Sequence, residues 1–197
     1  MKYIINDYAF SDNDILTSVK LSDGVTRIMY NVFANCKNLK KIEISKSVSV
    51  IDNGAIGYCP ALTEISVDTQ NTKYKSIDGN LYDINGVNLI QYAIGKTDTQ
   101  FVAPKSVEKI FEYAFYYCQA LESVVIHNNV ITIERSAFYL CSNLKRVYFE
   151  SDMEDWNAIE IGENNFLKSD VYFYSEHEPM ESGYYWHYNA NGKVTRW

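Results

Sequence analysis

The chain repeats itself every 23 residues, and this limits the folds open to it more than any other feature. The segment AFSDNDILTSVKL from Ala9 aligns with VFANCKNLKKIEI from Val32, 23 positions on. The same frame returns as AIGYCPALTEISV from Ala55, AFYYCQALESVVI from Ala114 and AFYLCSNLKRVYF from Ala137. A unit this short cannot bury an apolar face by itself. Its copies bury their faces by stacking on one another, which makes an elongated solenoid.

The full frame reads V-x-x-I-x-x-x-A-F-x-x-C-x-x-L-x-x-I-x-I-x-x-x. The closing pairs Val19/Leu21, Ile42/Ile44, Ile65/Val67, Val124/Ile126 and Val147/Phe149 stand two apart between polar residues. That alternation predicts short strands with one buried face, stacked in register into a parallel sheet. The A-F-x-x-C-x-x-L stretch carries apolar residues at i, i+1, i+4 and i+7, which predicts about two helical turns on the opposite side.

The frame slips once. Cys59 and Cys118 are 59 residues apart, which leaves a unit of 36 residues with its insert over about 68–103. Within it, YKSIDGNLYDINGVNLIQYAIG replaces the A-F-x-x-C stretch. Asp78-Gly79 and Asn85-Gly86 are turn signals, and the second predicts a β-hairpin near Asn80–Ile84 and Val87–Tyr92. The hairpin is expected to project from the solenoid edge. After Phe149 the frame fades. Asp152 reads as a helix N-cap, Val171–Tyr174 as a further strand, and Asn191-Gly192 as the turn of a last hairpin. The expected organisation is a repeat solenoid over 1–150 and a capping segment over 151–197.

Composition excludes several function classes. Hydrophobic residues make up 47% of the 197, which supports a continuous core. A net charge of −7 argues against generic binding to nucleic-acid phosphates. No apolar run reaches about 18 residues, so no spanning helix is expected. The start, MKYIINDYAFSD, has no apolar leader segment and is already repeat. This points to the cytoplasm if Met1 is the natural start, or to the cell surface or exterior if the chain is a piece of a larger secreted protein. No N-terminal cap is visible, which leaves self-association through that end as an expectation.

Period, Ala-Phe pair, Cys, Leu and I-x-I strand recur together over roughly three quarters of the chain. In this combination the chain resembles the BspA-like group of leucine-rich repeats, common in bacterial surface proteins; the D-G-N-L-Y of the insert also looks like a family feature. Asn13 in place of Cys and Ile56 in place of Phe are local departures. The resemblance implies an α/β leucine-rich repeat solenoid with a curved parallel sheet on the concave side and short helices on the convex side. It also implies protein or glycan binding, often in adhesion, and no catalytic residue set or cofactor.

Residues facing out of the sheet fall into three columns. Lys41, Glu64, Ser123 and Arg146 lie in the first, Glu43, Ser66, Val102, Val125 and Tyr148 in the second, His127 and Glu150 in the third. With strands about 4.8 Å apart, these are the candidate concave binding residues. Ser45, Asp68 and His127 share the third column, but a general base must lie within about 3 Å of its nucleophile, and intervening strands forbid it. His127 beside Glu150 reads instead as a surface ion pair. Tyr74, Tyr82 and Tyr92 are the candidate contacts of the insert hairpin, because aromatic rings bury much area at low entropic cost. Tyr113, Tyr116, Tyr117 and Tyr139 lie in or beside the predicted helical stretches.

Cys36, Cys59, Cys118 and Cys141 share one repeat position and read as reduced core residues, with bridging between neighbouring coils as the alternative. No zinc-type cysteine spacing exists, and Asp152, Glu154 and Asp155 lack a calcium-loop pattern. The function expected is a non-enzymatic, adhesion-type protein-binding module using the concave sheet and the insert hairpin. An intracellular inhibitor or scaffold that presents an acidic surface to a basic partner is the alternative.

Overall fold

The computed structural model describes residues 1–165 and 170–197. The frame maps onto it as a β-solenoid whose coils each run through two short strands and a series of turns. The I-x-I positions form one parallel ladder. Its N-terminal half is Ser18–Lys20, Lys41–Ile44 and Glu64–Val67; its C-terminal half is Gln100–Val102, Ser123–Ile126, Arg146–Phe149 and Asp170–Tyr174. The register keeps the frame, with Ile42 opposite Ile65 and Val124 opposite Val147. The V-x-x-I positions form a second parallel ladder. It begins with Tyr3–Ile5, Val25–Ile28 and Val50–Ile51 and resumes through Asn88–Gln91, Lys109–Ile110, Thr132–Ile133 and Glu160–Ile161.

The third side of each coil is not helical. Among the described residues the one α-helix is Met153–Ala158, whose N-cap Asp152 accepts from the Glu154 and Asp155 amides at 2.9 and 3.0 Å. The A-F-x-x-C stretches are chained turns, which corrects the expectation of short convex helices. The reason lies in two left-handed positions per coil, four residues apart. Tyr8, Asn31, Gly54, Tyr113 and Ser136 occupy the first; Asp12, Asn35, Tyr58, Tyr117 and Leu140 occupy the second. An α-helix cannot pass through a residue at positive φ. Alternate amides therefore donate to the next coil, as Phe33 does to Ala55 (2.8 Å) and Phe115 to Ala137 (2.8 Å). Beyond the first coil the side chains at A, F, C and L point inward and are buried, Cys141 only partly.

The cysteines are free thiols. The Sγ atoms of Cys36, Cys59 and Cys141 donate to the carbonyls of Phe10, Phe33 and Phe115 at 3.1, 3.0 and 3.0 Å. A small side chain with a weak donor suits this place, where a carbonyl of the preceding coil enters the core.

The insert divides the molecule. Tyr74–Ile77 pairs antiparallel with Asn80–Asp83 around a turn whose central residues, Asp78 and Gly79, both have positive φ, as a type I′ turn requires. Asn80–Asp83 pairs antiparallel with Asn88–Gln91, which in turn joins Lys109–Ile110 in the second ladder. The insert does not project. Leu81 packs in the N-terminal core and its neighbour Tyr82 in the C-terminal core, so this strand is buried on both faces. The Gly79 carbonyl accepts from the Ile65 amide at 2.8 Å, and Ser76 donates to the Ile65 carbonyl at 2.5 Å. The edge of Glu64–Val67 is thereby occupied, and the two halves of the I-x-I ladder do not bond to each other.

Candidate functional site

The outward face of the I-x-I ladder has two unlike halves. In the N-terminal half Lys41 pairs with Glu64 at 3.2 Å and with Glu43 at 3.4 Å, and Lys20 pairs with Glu43 at 3.6 Å. Hydrogen bonds donated to Glu64 and then to Glu43 hold the Lys41 ammonium above the usual lysine range. Ser66 lies half-buried at the end of its row, beside Glu43. The strand ends and the corner that follows, with Ser22, Asp23, Ser45 and Asp68, border a depression of about 440 Å³. The Lys20, Lys41, Glu43 and Glu64 side chains keep solvent access, pair in alternating sign and are carried on bonded strands. They form a fixed pattern of charge.

The C-terminal half is covered. Tyr185–Tyr188 extends the ladder beside Asp170–Tyr174 and turns back through Val194–Arg196. Trp186, together with Tyr188 and Val194, packs on Val125, Tyr148 and Tyr172. Val125 and Trp186 are 0% exposed, and the indole Nε1 donates to the Phe149 carbonyl at 2.9 Å. Arg196 lies 5.7 Å over the Tyr172 ring and donates to its hydroxyl at 3.1 Å. His127 is buried and paired with Glu150. Burial, and Glu150 beside it, push the Tyr188 phenol up to about 12.

This arrangement corrects several sequence-based candidates. Val125 and Tyr148 belong to a packed apolar layer and His127 is buried against Glu150, so none of the three is on an open surface. Ser123 is buried and accepts from Gln100 Nε2 at 3.0 Å. Val102 and Arg146 keep solvent access, Val102 being 48% exposed. The three columns are not continuous, because the insert separates Lys41, Glu43, Glu64 and Ser66 from the rest. Tyr82 and Tyr92 are 1% and 2% exposed and take no part in a contact surface. Tyr74 is half-buried, and its hydroxyl accepts from the Ile51 amide at 2.9 Å. The Ser45 hydroxyl bonds the Ser22 carbonyl and Ser47, on the far side of the insert from His127.

Sequence reasoning passed over one further feature. The chained turns carry an aromatic groove of about 470 Å³, with Tyr30, Tyr58, Tyr113, Tyr116 and Tyr139 in its lining. The available signal was Gly54 and Gly57, which stand where other coils carry Asn31 and Ala34 or Tyr113 and Tyr116.

Residues 2–92 and 92–171 match the BspA-type leucine-rich repeat region in six copies. The chain belongs to the BspA-type leucine-rich repeat family. A leucine-rich repeat protein from Eubacterium ventriosum is similar in structure, with 28% identity and a TM-score of 0.73 over 86% of this chain. The pneumococcal vaccine antigen PcpA shares the fold at 17% identity and a TM-score of 0.56, over 90% of this chain. The chain spans 45% of the first protein and 61% of the second. No curated protein sequence matches it. Leucine-rich repeats are a common protein-binding module and are generally non-enzymatic scaffolds. Among the described residues of this BspA-type chain, no helix is long and apolar enough to cross a membrane.

Proposed function

We propose that this BspA-type chain is a non-enzymatic, adhesion-type protein-binding module whose contact surface is the N-terminal half of the I-x-I face. The observation that carries the reading is the row of Lys20, Lys41, Glu43 and Glu64. These charges are exposed, preset by mutual ion pairs, and mounted on three bonded strands. A rigid array of alternating charge selects a partner by complementarity and speeds encounter more than it adds affinity. Exposed pairs of this kind contribute little to folding, so binding is the better account of their clustering. The covered C-terminal half supports the same choice, since it leaves Arg146 and Val102 as fringe residues only.

The test is affinity capture from extracellular matrix and from bacterial lysate, with the Lys41→Ala/Glu43→Ala/Glu64→Ala variant alongside. A partner bound by the parent and lost by the variant, with retention that weakens as salt rises, is the expected result. Equal capture by both proteins would remove this face from consideration. An intracellular nucleic-acid enzyme held by the acidic residues would favour the inhibitor reading over the adhesion one.

A further inference from the structure

The turn side of the solenoid holds a second candidate surface, separate from the charged face. We propose that its groove binds a neutral oligosaccharide.

The groove exists because one coil is stripped of side chains. Gly54 and Gly57 form its floor. A Cβ at Gly54 would stand 2.9 Å from Asn31 Oδ1 and 3.4 Å from both the Tyr30 and Tyr113 rings. The coil that should follow has lost its A-F-x-x-C turns to the insert, so the next wall is Tyr113 and Tyr116, 59 residues on. Its volume of about 470 Å³ falls within the roughly 300–1,000 Å³ of small-ligand sites.

The walls are a connected aromatic band. Tyr58 meets Tyr116 edge-on at 6.1 Å, Tyr113 meets Tyr116 at 5.7 Å, and Tyr116 lies nearly parallel to Tyr139 at 5.8 Å. Two of these tyrosines, Tyr58 and Tyr113, sit at φ of 54° and 63°, where glycine or asparagine would fit with less strain.

The chemistry of the lining selects the class. None of the lining residues is charged, in a chain where 22% are. Around this lining the charges are paired: Glu112 with Arg135 at 2.6 Å beside Tyr113, and Lys37 with Asp14 at 3.3 Å on the Tyr58 side. A phosphate, sulfate, sialic acid or peptide terminus would find no counter-charge among the lining residues. The Phe33 and Asn35 amides on one side and the Phe115 and Tyr117 amides on the other are already bonded between coils. These four donors are therefore unavailable to an added peptide strand. What remains is ring faces, phenol hydroxyls, and the amides of Asn31, Asn35 and Asn164. The negative face of an aromatic ring attracts the weakly positive C–H groups of a sugar ring. Amides and hydroxyls can both give and accept hydrogen bonds, as vicinal sugar hydroxyls require. This inference does not rest on the protein-binding reading and shares no residue with it.

The test is titration calorimetry of the full chain. The probes are neutral hexasaccharides of glucose, xylose and mannose, with a sialylated glycan, a sulfated glycan and an uncharged hexapeptide as comparators. At least one neutral hexasaccharide is expected to bind. Tyr116→Ala should weaken it about tenfold, while Tyr116→Phe, which keeps the ring, should stay within about twofold. Gly54→Asn tolerates the left-handed backbone and fills the floor, so it should abolish binding. Lys41→Ala/Glu43→Ala should leave sugar affinity unchanged, which separates this site from the charged face. Binding of no neutral hexasaccharide would overturn the proposal. So would preference for a charged glycan or the peptide, or affinity indifferent to both Tyr116→Ala and Gly54→Asn.

Discussion

Tyr8, Tyr58, Tyr113, Tyr117 and Leu140 all hold a left-handed backbone that residues other than glycine, asparagine and aspartate seldom take. Leu140 is 41% exposed, so replacing its side chain gives up little packing. Leu140→Asn should therefore raise stability by about 1 kcal/mol in a urea titration; a loss of that size would mean that Leu140 packs in solution. The apolar frame predicts the opposite behaviour. Ile65 is fully buried, and Ile65→Ala should cost about 2–5 kcal/mol by the same titration. The thiols give a pH signature. Burial pushes Cys118 up to about 11 and Cys141 up to about 12, against about 8.5 in an unfolded chain. The folded state thus holds these protons more tightly. Their contribution is complete below about pH 8.5 and is lost as pH rises toward 11–12. The urea midpoint should fall steadily above about pH 8.5; a midpoint flat to pH 11 would contradict the buried-thiol account. At this scale the core was legible in the sequence, because Val, Ile, Ala, Phe, Cys and Leu recur at fixed spacing. Backbone hand was not. Spacing of A, F, C and L fits a helix and a chain of turns alike, and only Asn31, Gly54, Asp12 and Asn35 in the two left-handed columns hinted otherwise.

Among elements, the strands of both ladders could be read from β-branched residues two or three apart, whereas the place of the insert could not. Turn signals locate Asp78-Gly79 and Asn85-Gly86 but do not say whether the strands between them stand free. The adjacent apolar pair Leu81-Tyr82 carried that information, since a strand with neighbouring apolar residues is one buried on both faces. The C-terminal hairpin is a similar case. Its aromatic residues were expected to close the solenoid end, and the structure adds that Trp186 lies on the outward sheet face over Val125 and Tyr148. Nothing in the local sequence of Tyr184–Tyr188 distinguishes those two placements, because a crossing over another strand is a long-range event. Trp186→Ala should cost about 3–5 kcal/mol in chemical denaturation, through a lost buried side chain and the orphaned Phe149 carbonyl. A change under about 1 kcal/mol would show that the hairpin is not docked there.

At the scale of the whole molecule, the insert partitions the core into two clusters and the outward face into an open charged half and a covered aromatic half. Candidate binding residues were legible as columns, since register follows from the repeat. Which columns stay open depended on the insert and the hairpin, and so lay outside the reach of periodicity. Lys41, Glu43 and Glu64 remain together; Val125, Tyr148 and His127 leave the surface. Hydroxyl-radical footprinting of the folded chain by mass spectrometry tests this division directly. The prediction is protection of Tyr148, Tyr172 and Trp186, with ready labelling of Tyr184 and of Tyr30 at the groove. Labelling of Tyr148 and Trp186 at the rate of Tyr184 would mean that the face is open along its whole length, and the division would be wrong.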